Sequence, residues 1–130
     1  MDGRVFVSGL VFRKGKKMES TIEKINGTVV LTVQYEALDA KSAKDFRQEF
    51  DQATENGDQV LVDLRNVKFV DSAGLGAMVA SLKRLRTAGG DMKICGVNKP
   101  VSALFELVRM QRLVEIFNNR DEALASQNSV

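Results

Sequence analysis

The stretch of this chain whose residue types could do chemistry is Val70-Asp71-Ser72-Ala73-Gly74-Leu75-Gly76. It sets an acid and a hydroxyl side by side where the pattern opens a helix. Two glycines follow where a good helix former is expected. Each glycine in a helical turn costs about 1 kcal/mol relative to alanine. One reading is local: Asp71 or Ser72 caps the helix, and the glycines let it pack closely on a sheet. The other is functional. Without side chains at Gly74 and Gly76, a partner's backbone or active site can approach Ser72 closely, and the free N–H groups and dipole of a helix start favour an anion there. A phosphoryl group on Ser72 would bring about −1.5 to −2 charges and three acceptor oxygens. The helix end can absorb that charge, with Asp71 opposing it only as a solvated neighbour, so the effect falls on a partner bound over the site. Burying such a group without new cations costs several kcal/mol. At ~1.4 kcal/mol per tenfold in affinity, binding would weaken by about two to three decades.

Other chemistries are excluded or poorly supported. The chain has no histidine, which removes Ser-His-Asp and Cys-His catalysis and histidine-based metal sites. Its one cysteine, Cys95, rules out an intramolecular disulfide or a cysteine-cluster metal site and reads as a buried strand residue, as suits a reducing cytoplasm. Gly74-Leu75-Gly76-Ala77-Met78-Val79 is an incomplete dinucleotide-binding pattern, with Val79 at its third glycine position and Asp71-Ser72 crowding a pyrophosphate. Asp63 and Asp71 could be imagined as paired acids, but no nucleophile or base complements them. The reading is a binding module, not an enzyme.

The elements that must position Asp71 and Ser72 follow from periodicity. Ile22–Ile25 and Thr28–Val33 flank Asn26-Gly27, a strong two-residue hairpin signal that predicts an antiparallel pair. Asp39 is placed to cap a helix over about Ala40–Glu55, with Ala43, Phe46, Phe50 and Ala53 as its buried stripe. Val60–Leu64 has the apolar, β-branched character of a central strand. A connection through Val67, Phe69 and Val70 leads to a helix over about Ala73–Thr87, with Leu75, Met78, Val79, Leu82 and Leu85 inward. Gly89-Gly90 stops it. Met92–Val97 forms a strand, Pro100 opens a helix to about Met110, Leu113–Phe117 is a last strand, and Asp121 begins a terminal helix. The order β-β-α-β-α-β-α-β-α predicts an α/β fold: one mostly parallel sheet, an N-terminal antiparallel hairpin and about four helices.

Charge divides unevenly. Residues 1–17 hold Arg4, Arg13, Lys14, Lys16 and Lys17 against Asp2, a net of +4; the remaining 14 basic and 16 acidic residues carry a net of −2. The mildly acidic body gives no footprint for nucleic acid. No apolar run approaches the roughly 20 residues that cross a bilayer, so no membrane insertion is expected. Residues 1–17 read as a basic, disordered, solvated extension preceding a single domain over residues 18–130, with Met18 an alternative start.

From about Thr21 to Ala125 the chain resembles the STAS family (sulfate transporter and anti-sigma factor antagonist), particularly its stand-alone bacterial anti-anti-sigma factors. The resemblance rests on Leu38-Asp39-Ala40 with Ala43 and Phe46, and on Val62-Asp63-Leu64 followed by Val67, Phe69 and Asp71-Ser72-Ala73-Gly74-Leu75-Gly76. The last run is close to the family signature Asp-Ser-Ser/Thr-Gly-Leu-Gly. Ala73 departs from it, which removes a competing hydroxyl and bears on kinase recognition. The resemblance implies that Ser72 is the phosphoacceptor. It implies that the unphosphorylated protein binds an anti-sigma factor, often a serine kinase, and frees a sigma factor. Phosphorylation by that kinase breaks the complex, and a serine phosphatase restores it; the ATP belongs to the kinase, so the resemblance implies that this chain needs no cofactor. The contact surface would centre on Asp71, Ser72 and Gly74, with Gly76 contributing and Asp39 and Asp63 as flanking candidates. The competing reading is an unswitched STAS adaptor in a transport or stress-signalling complex.

Overall fold

The computed structural model describes residues 4–5, 10–13 and 16–127, with side chains described over 20–126. In chain order the elements are β1 (Arg4–Val5), β2 (Leu10–Arg13), β3 (Lys16–Ile25), β4 (Thr28–Val33), β5 (Ala37–Leu38) and α1 (Ala43–Ala53). Then come β6 (Gln59–Asp63), β7 (Phe69–Val70), α2 (Ser72–Thr87), β8 (Asp91–Cys95), α3 (Lys99–Leu107), a 3-10 turn (Met110–Arg112), β9 (Glu115–Phe117) and α4 (Arg120–Gln127). The main sheet runs β1-β3-β4-β6-β8-β9, with β2 also on the outer edge of β3. The β3–β4 pair is antiparallel, and β4, β6, β8 and β9 are mutually parallel. The α/β class, the parallel sheet and the antiparallel hairpin are as expected. Asn26 and Gly27 take φ of 50° and 83°, the left-handed pair that a tight two-residue hairpin requires.

The sheet begins earlier than the sequence suggests. Residues 1–17 read as a disordered extension, yet the described backbone of β1 and β2 pairs antiparallel with β3, Arg4 opposite Ile25 and Leu10 opposite Thr21. Lys16 and Lys17 begin β3, and residues 1–3, 6–9 and 14–15 of that expected extension, among them Asp2 and Lys14, lie outside the described residues.

Residue alternation divides the core into two layers. Val60 and Val62 of β6 join Leu31, Met92 and Ile94 beneath α1, α2 and α3, where Phe46, Phe50, Met78, Leu82 and Phe105 are buried. Leu61 points the other way, toward Ile25, Val30, Cys95 and Ala123 of α4. Removal of either phenylalanine of α1 to alanine would cost about 3–5 kcal/mol. Burial pushes the Cys95 thiol up to about 12, with the nearby Asp63 carboxylate adding to the shift, so this group is an inert core residue.

One helix start and one buried helix face differ from expectation. The first helix begins at Ala43, not Ala40, because residues 39–42 form a turn of their own: the Asp39 carbonyl accepts from Ser42 N and Ala43 N. Asp39 Oδ1 accepts from Lys41 N (3.0 Å) and Ser42 N (3.2 Å), so Asp39 caps this turn and Ser42 occupies the helix N-cap. The buried face of α2 is Gly74, Ala77, Met78, Ser81, Leu82 and Leu85, while Leu75 and Val79 are only partly buried. The helix is rotated toward α1, and small residues line that interface. Sequence periodicity also gave no hint of Glu49, which is buried on α1 and accepts from Ser20 Oγ (2.7 Å) and the Tyr35 hydroxyl.

Candidate functional site

The short strand β7 delivers Asp71 to the start of α2. It pairs in parallel with β5, Phe69 beside Ala37 and Val70 beside Leu38, and the pairing continues as Asp71 N donates to the Leu38 carbonyl at 3.2 Å. Asp71 is the N-cap in extended conformation: its Oδ1 accepts from Gly74 N at 2.9 Å. Its Oδ2 accepts from Ala40 N at 3.3 Å, tying the turn before α1 to the start of α2. Both carboxylate oxygens are thus engaged in holding backbone.

Ser72 is the first helical residue and is exposed. Its hydroxyl makes no hydrogen bond among the described residues. The division of labour left open by the sequence is therefore resolved: Asp71 caps, and Ser72 is left available at the positive end of a helix of 16 residues.

The two glycines have different reasons. A Cβ on Gly74 would lie 2.0 Å from the Leu38 carbonyl oxygen and 2.6 Å from its carbon, so no side chain fits without moving α2 away from β5. Gly74 is buried and serves packing within the chain; it does not open a path to Ser72. A Cβ on Gly76 would meet nothing within 4 Å, and Gly76 is exposed one turn beyond Ser72, on the same side of the helix. Of the two glycines, only Gly76 has the exposed, open position that the approach argument requires.

Asp39 adjoins this face through the turn that Asp71 holds. Asp63 does not join it. Its position on β6 has the parity of Leu61, so its side chain faces α4, opposite the layer that contains α2. There it is 2 % exposed and accepts from Arg65 N (3.0 Å) and Arg65 Nε (3.0 Å), with the Arg120 guanidinium at 3.3 Å. Arg120 also reaches Glu23 (3.0 Å) and Thr32 Oγ1 (2.8 Å), so Asp63 anchors α4 to the sheet. One residue beside the candidate site enters the sequence reading as part of a connection and of the family resemblance, but not as a contact residue. Phe69 is 54 % exposed on β7, while Val70 is buried; two-residue alternation was the signal available, masked by the brevity of the strand.

The STAS domain model matches residues 19–123. An anti-sigma F factor antagonist of Paenibacillus polymyxa is 28% identical over 109 residues, which cover 82% of this chain and 92% of that protein. An anti-sigma-factor antagonist (STAS) domain protein of Planctomyces limnophilus superposes with a TM-score of 0.77 at 18% identity, covering 85% of this chain and 98% of that one. The anti-sigma factor antagonist SpoIIAA matches in its unphosphorylated form with a TM-score of 0.67 at 17% identity, over 85% of this chain and 98% of that one. Its phosphorylated form matches with a TM-score of 0.61 at 16% identity, over 84% and 99%. With the family model spanning nearly the whole described fold, this chain belongs to the STAS domain family.

Proposed function

We propose that this chain is an anti-sigma factor antagonist whose binding to an anti-sigma factor is switched off by phosphorylation of Ser72. The observation that carries the reading is the unengaged, exposed Ser72 hydroxyl at the first position of α2, beside an Asp71 whose oxygens are both committed to backbone. The likeness to SpoIIAA, known in unphosphorylated and phosphorylated forms, supports the same chemistry here. The anti-sigma factor is itself the serine kinase, its ATP supplies the phosphoryl group, and a serine phosphatase reverses the step. Ser72, Gly76 and the exposed ring of Phe69 form the contact surface, with Asp71, Gly74 and Asp39 holding its shape. The site of action is the cytoplasm, and no described helix is long and apolar enough to cross a membrane.

The test is incubation of the pure protein with ATP-Mg and each anti-sigma kinase of the source organism, followed by intact mass and peptide mapping. One phosphate on Ser72, absent in Ser72→Ala, is expected, together with a loss of about two to three decades in affinity for that kinase. Equal binding of the phosphorylated and unphosphorylated proteins would sink the switch and leave the unswitched STAS adaptor.

A further inference from the structure

Helices α1 and α2 flank a groove of about 610 Å³ whose lining reaches Ala73, the residue after Ser72. Its floor includes Ala43, Gly76 and Ala77, all small, and its walls carry Lys44, Arg47 and Arg84. Arg84 pairs with Asp51, whereas neither Lys44 nor Arg47 forms an ion pair among the described residues. The groove is therefore net positive on a body that is slightly negative over residues 18–130. Beyond the Arg84–Asp51 pair it leads to a smaller recess of about 120 Å³ lined by Ser81. The Ser81 residue is 3% exposed, and its hydroxyl has no hydrogen-bond partner among the described residues. That recess is also lined by Asp51 and Glu55, so the uncompensated positive charge is confined to the Lys44 and Arg47 end of the groove.

The spacing selects the occupant. Lys44 and Arg47 lie ~4.5 Å apart along α1, and Asp51, which holds Arg84, lies ~10 Å along α1 from Lys44, at ~1.5 Å per residue. Cations spread along such a length match successive carboxylates on a chain better than one compact anion. We propose that the groove receives an acidic segment of the protein partner that docks over Ser72; this rests on the docking role proposed for that face. It also gives the switch a second lever. Ser72 and Gly76 are one turn apart, so a phosphoryl group on Ser72 stands at the mouth of the groove, where it repels the acidic segment and competes for Lys44 and Arg47.

The test does not need the kinase. The ¹⁵N-labelled full chain is titrated with a short glutamate-rich peptide, with a lysine-rich counterpart and with inorganic phosphate. Saturable amide shifts at Ala43, Gly76 and Ala77 are expected with the acidic peptide alone, weakening as salt rises. K44E/R47E should weaken binding by about tenfold or more. The neutral pair K44Q/R47Q should fall between, and Ser72→Asp should weaken binding several-fold. The spectral dispersion of each variant reports that it is folded. The idea is overturned by shifts that are absent at roughly millimolar peptide, by shifts that ignore the charge reversal, or by phosphate alone reproducing them, which would make this a small-anion site. Mass analysis of Ser72 after kinase treatment is read separately. Groove binding without phosphorylation sinks only the switch, and phosphorylation without groove binding sinks only this inference.

Discussion

The two glycines of α2 lie two residues apart, yet alanine should act in opposite directions at them. At Gly74 the added Cβ would stand 2.0 Å from a backbone oxygen, whereas a comfortable carbon–oxygen contact is ~3.3 Å. Relief requires a separation of about 1.3 Å between α2 and β5. The obstacle is backbone, so no rotamer change absorbs it, and the hydrogen bonds of Asp71 to Gly74 N, Ala40 N and Leu38 O resist the movement. Overpacking costs about 1–3 kcal/mol and a misaligned cap about 1 kcal/mol, offset by about 1 kcal/mol of improved helix propensity. Gly74→Ala should therefore destabilise by about 1–3 kcal/mol. Gly76→Ala meets open space and keeps the propensity gain, so it should stabilise by up to about 1 kcal/mol. Urea denaturation of the two variants and wild type reads the difference, and each kcal/mol should move the melting temperature by roughly 3–5 °C. Partner affinity supplies a second axis: Gly76→Ala should bind more weakly despite greater stability, because its methyl group projects into the mouth of the docking groove. A Gly74→Ala protein as stable as wild type, or a Gly76→Ala protein less stable than it, would refute this assignment of roles.

Other perturbations separate the supports of the fold. Asp71→Ala removes the cap of α2 and the tie to Ala40, and should cost about 1–2 kcal/mol by thermal unfolding; no loss would mean that the cap is redundant. Arg120→Ala leaves Asp63 with Arg65 as its remaining cation and cuts the links to Glu23 and Thr32, so urea unfolding should register a loss of about 3 kcal/mol. A change below about 0.5 kcal/mol would show that α4 is held by its apolar contacts alone. Cys95, with its thiol at about 12, should resist alkylation at pH 8 in the native protein and react fully in guanidinium. Its folded value exceeds the ordinary 9.0, so the unfolded chain loses the proton first, and this group's contribution to stability is lost as pH rises from about 9 to about 12. Rapid native labelling would contradict the burial.

The hairpin, the parallel order and the helices were legible because each rests on local rules: Asn26-Gly27 can form one kind of turn, and Phe46 and Phe50 repeat at helical spacing. What was hidden depends on which segments meet. The β5–β7 pair consists of two-residue strands, too short to show a period, yet it sets the height at which α2 begins. Gly74 could be read as a gap for a partner until Leu38 is known to occupy that gap. Asp63, near the candidate signature in sequence, is carried to the opposite layer by strand alternation and held there by Arg120, 57 residues away. Charge alone made residues 1–17 a tail, although the backbone of β1 and β2 completes the outer edge of the sheet, which side-chain charge does not forbid. At the candidate site itself, the choice of residues was visible and their division of labour was not.

That division bears on how a phosphoryl group can act. A modification that has to break a cap or a packing contact would destabilise the domain and produce a switch by unfolding. Here the cap belongs to Asp71 and the close packing to Gly74, while Ser72 contributes to neither. New negative charge at the first position of α2 meets the positive end of the helix, an interaction of about 0.3–1 kcal/mol at an exposed site. Repulsion from the Asp71 carboxylate opposes it on a similar scale. The two nearly cancel, so Ser72→Asp and the phosphoprotein should keep the stability of wild type within about 0.5 kcal/mol. The same charge at the mouth of a cationic groove acts at full strength on an acidic, desolvated partner. Calorimetric unfolding of the phosphoprotein beside its partner affinity therefore tests the logic directly. A melting temperature unchanged while affinity falls by about two decades means a switch read at the interface. A parallel loss of both would mean that Ser72 supports the fold after all.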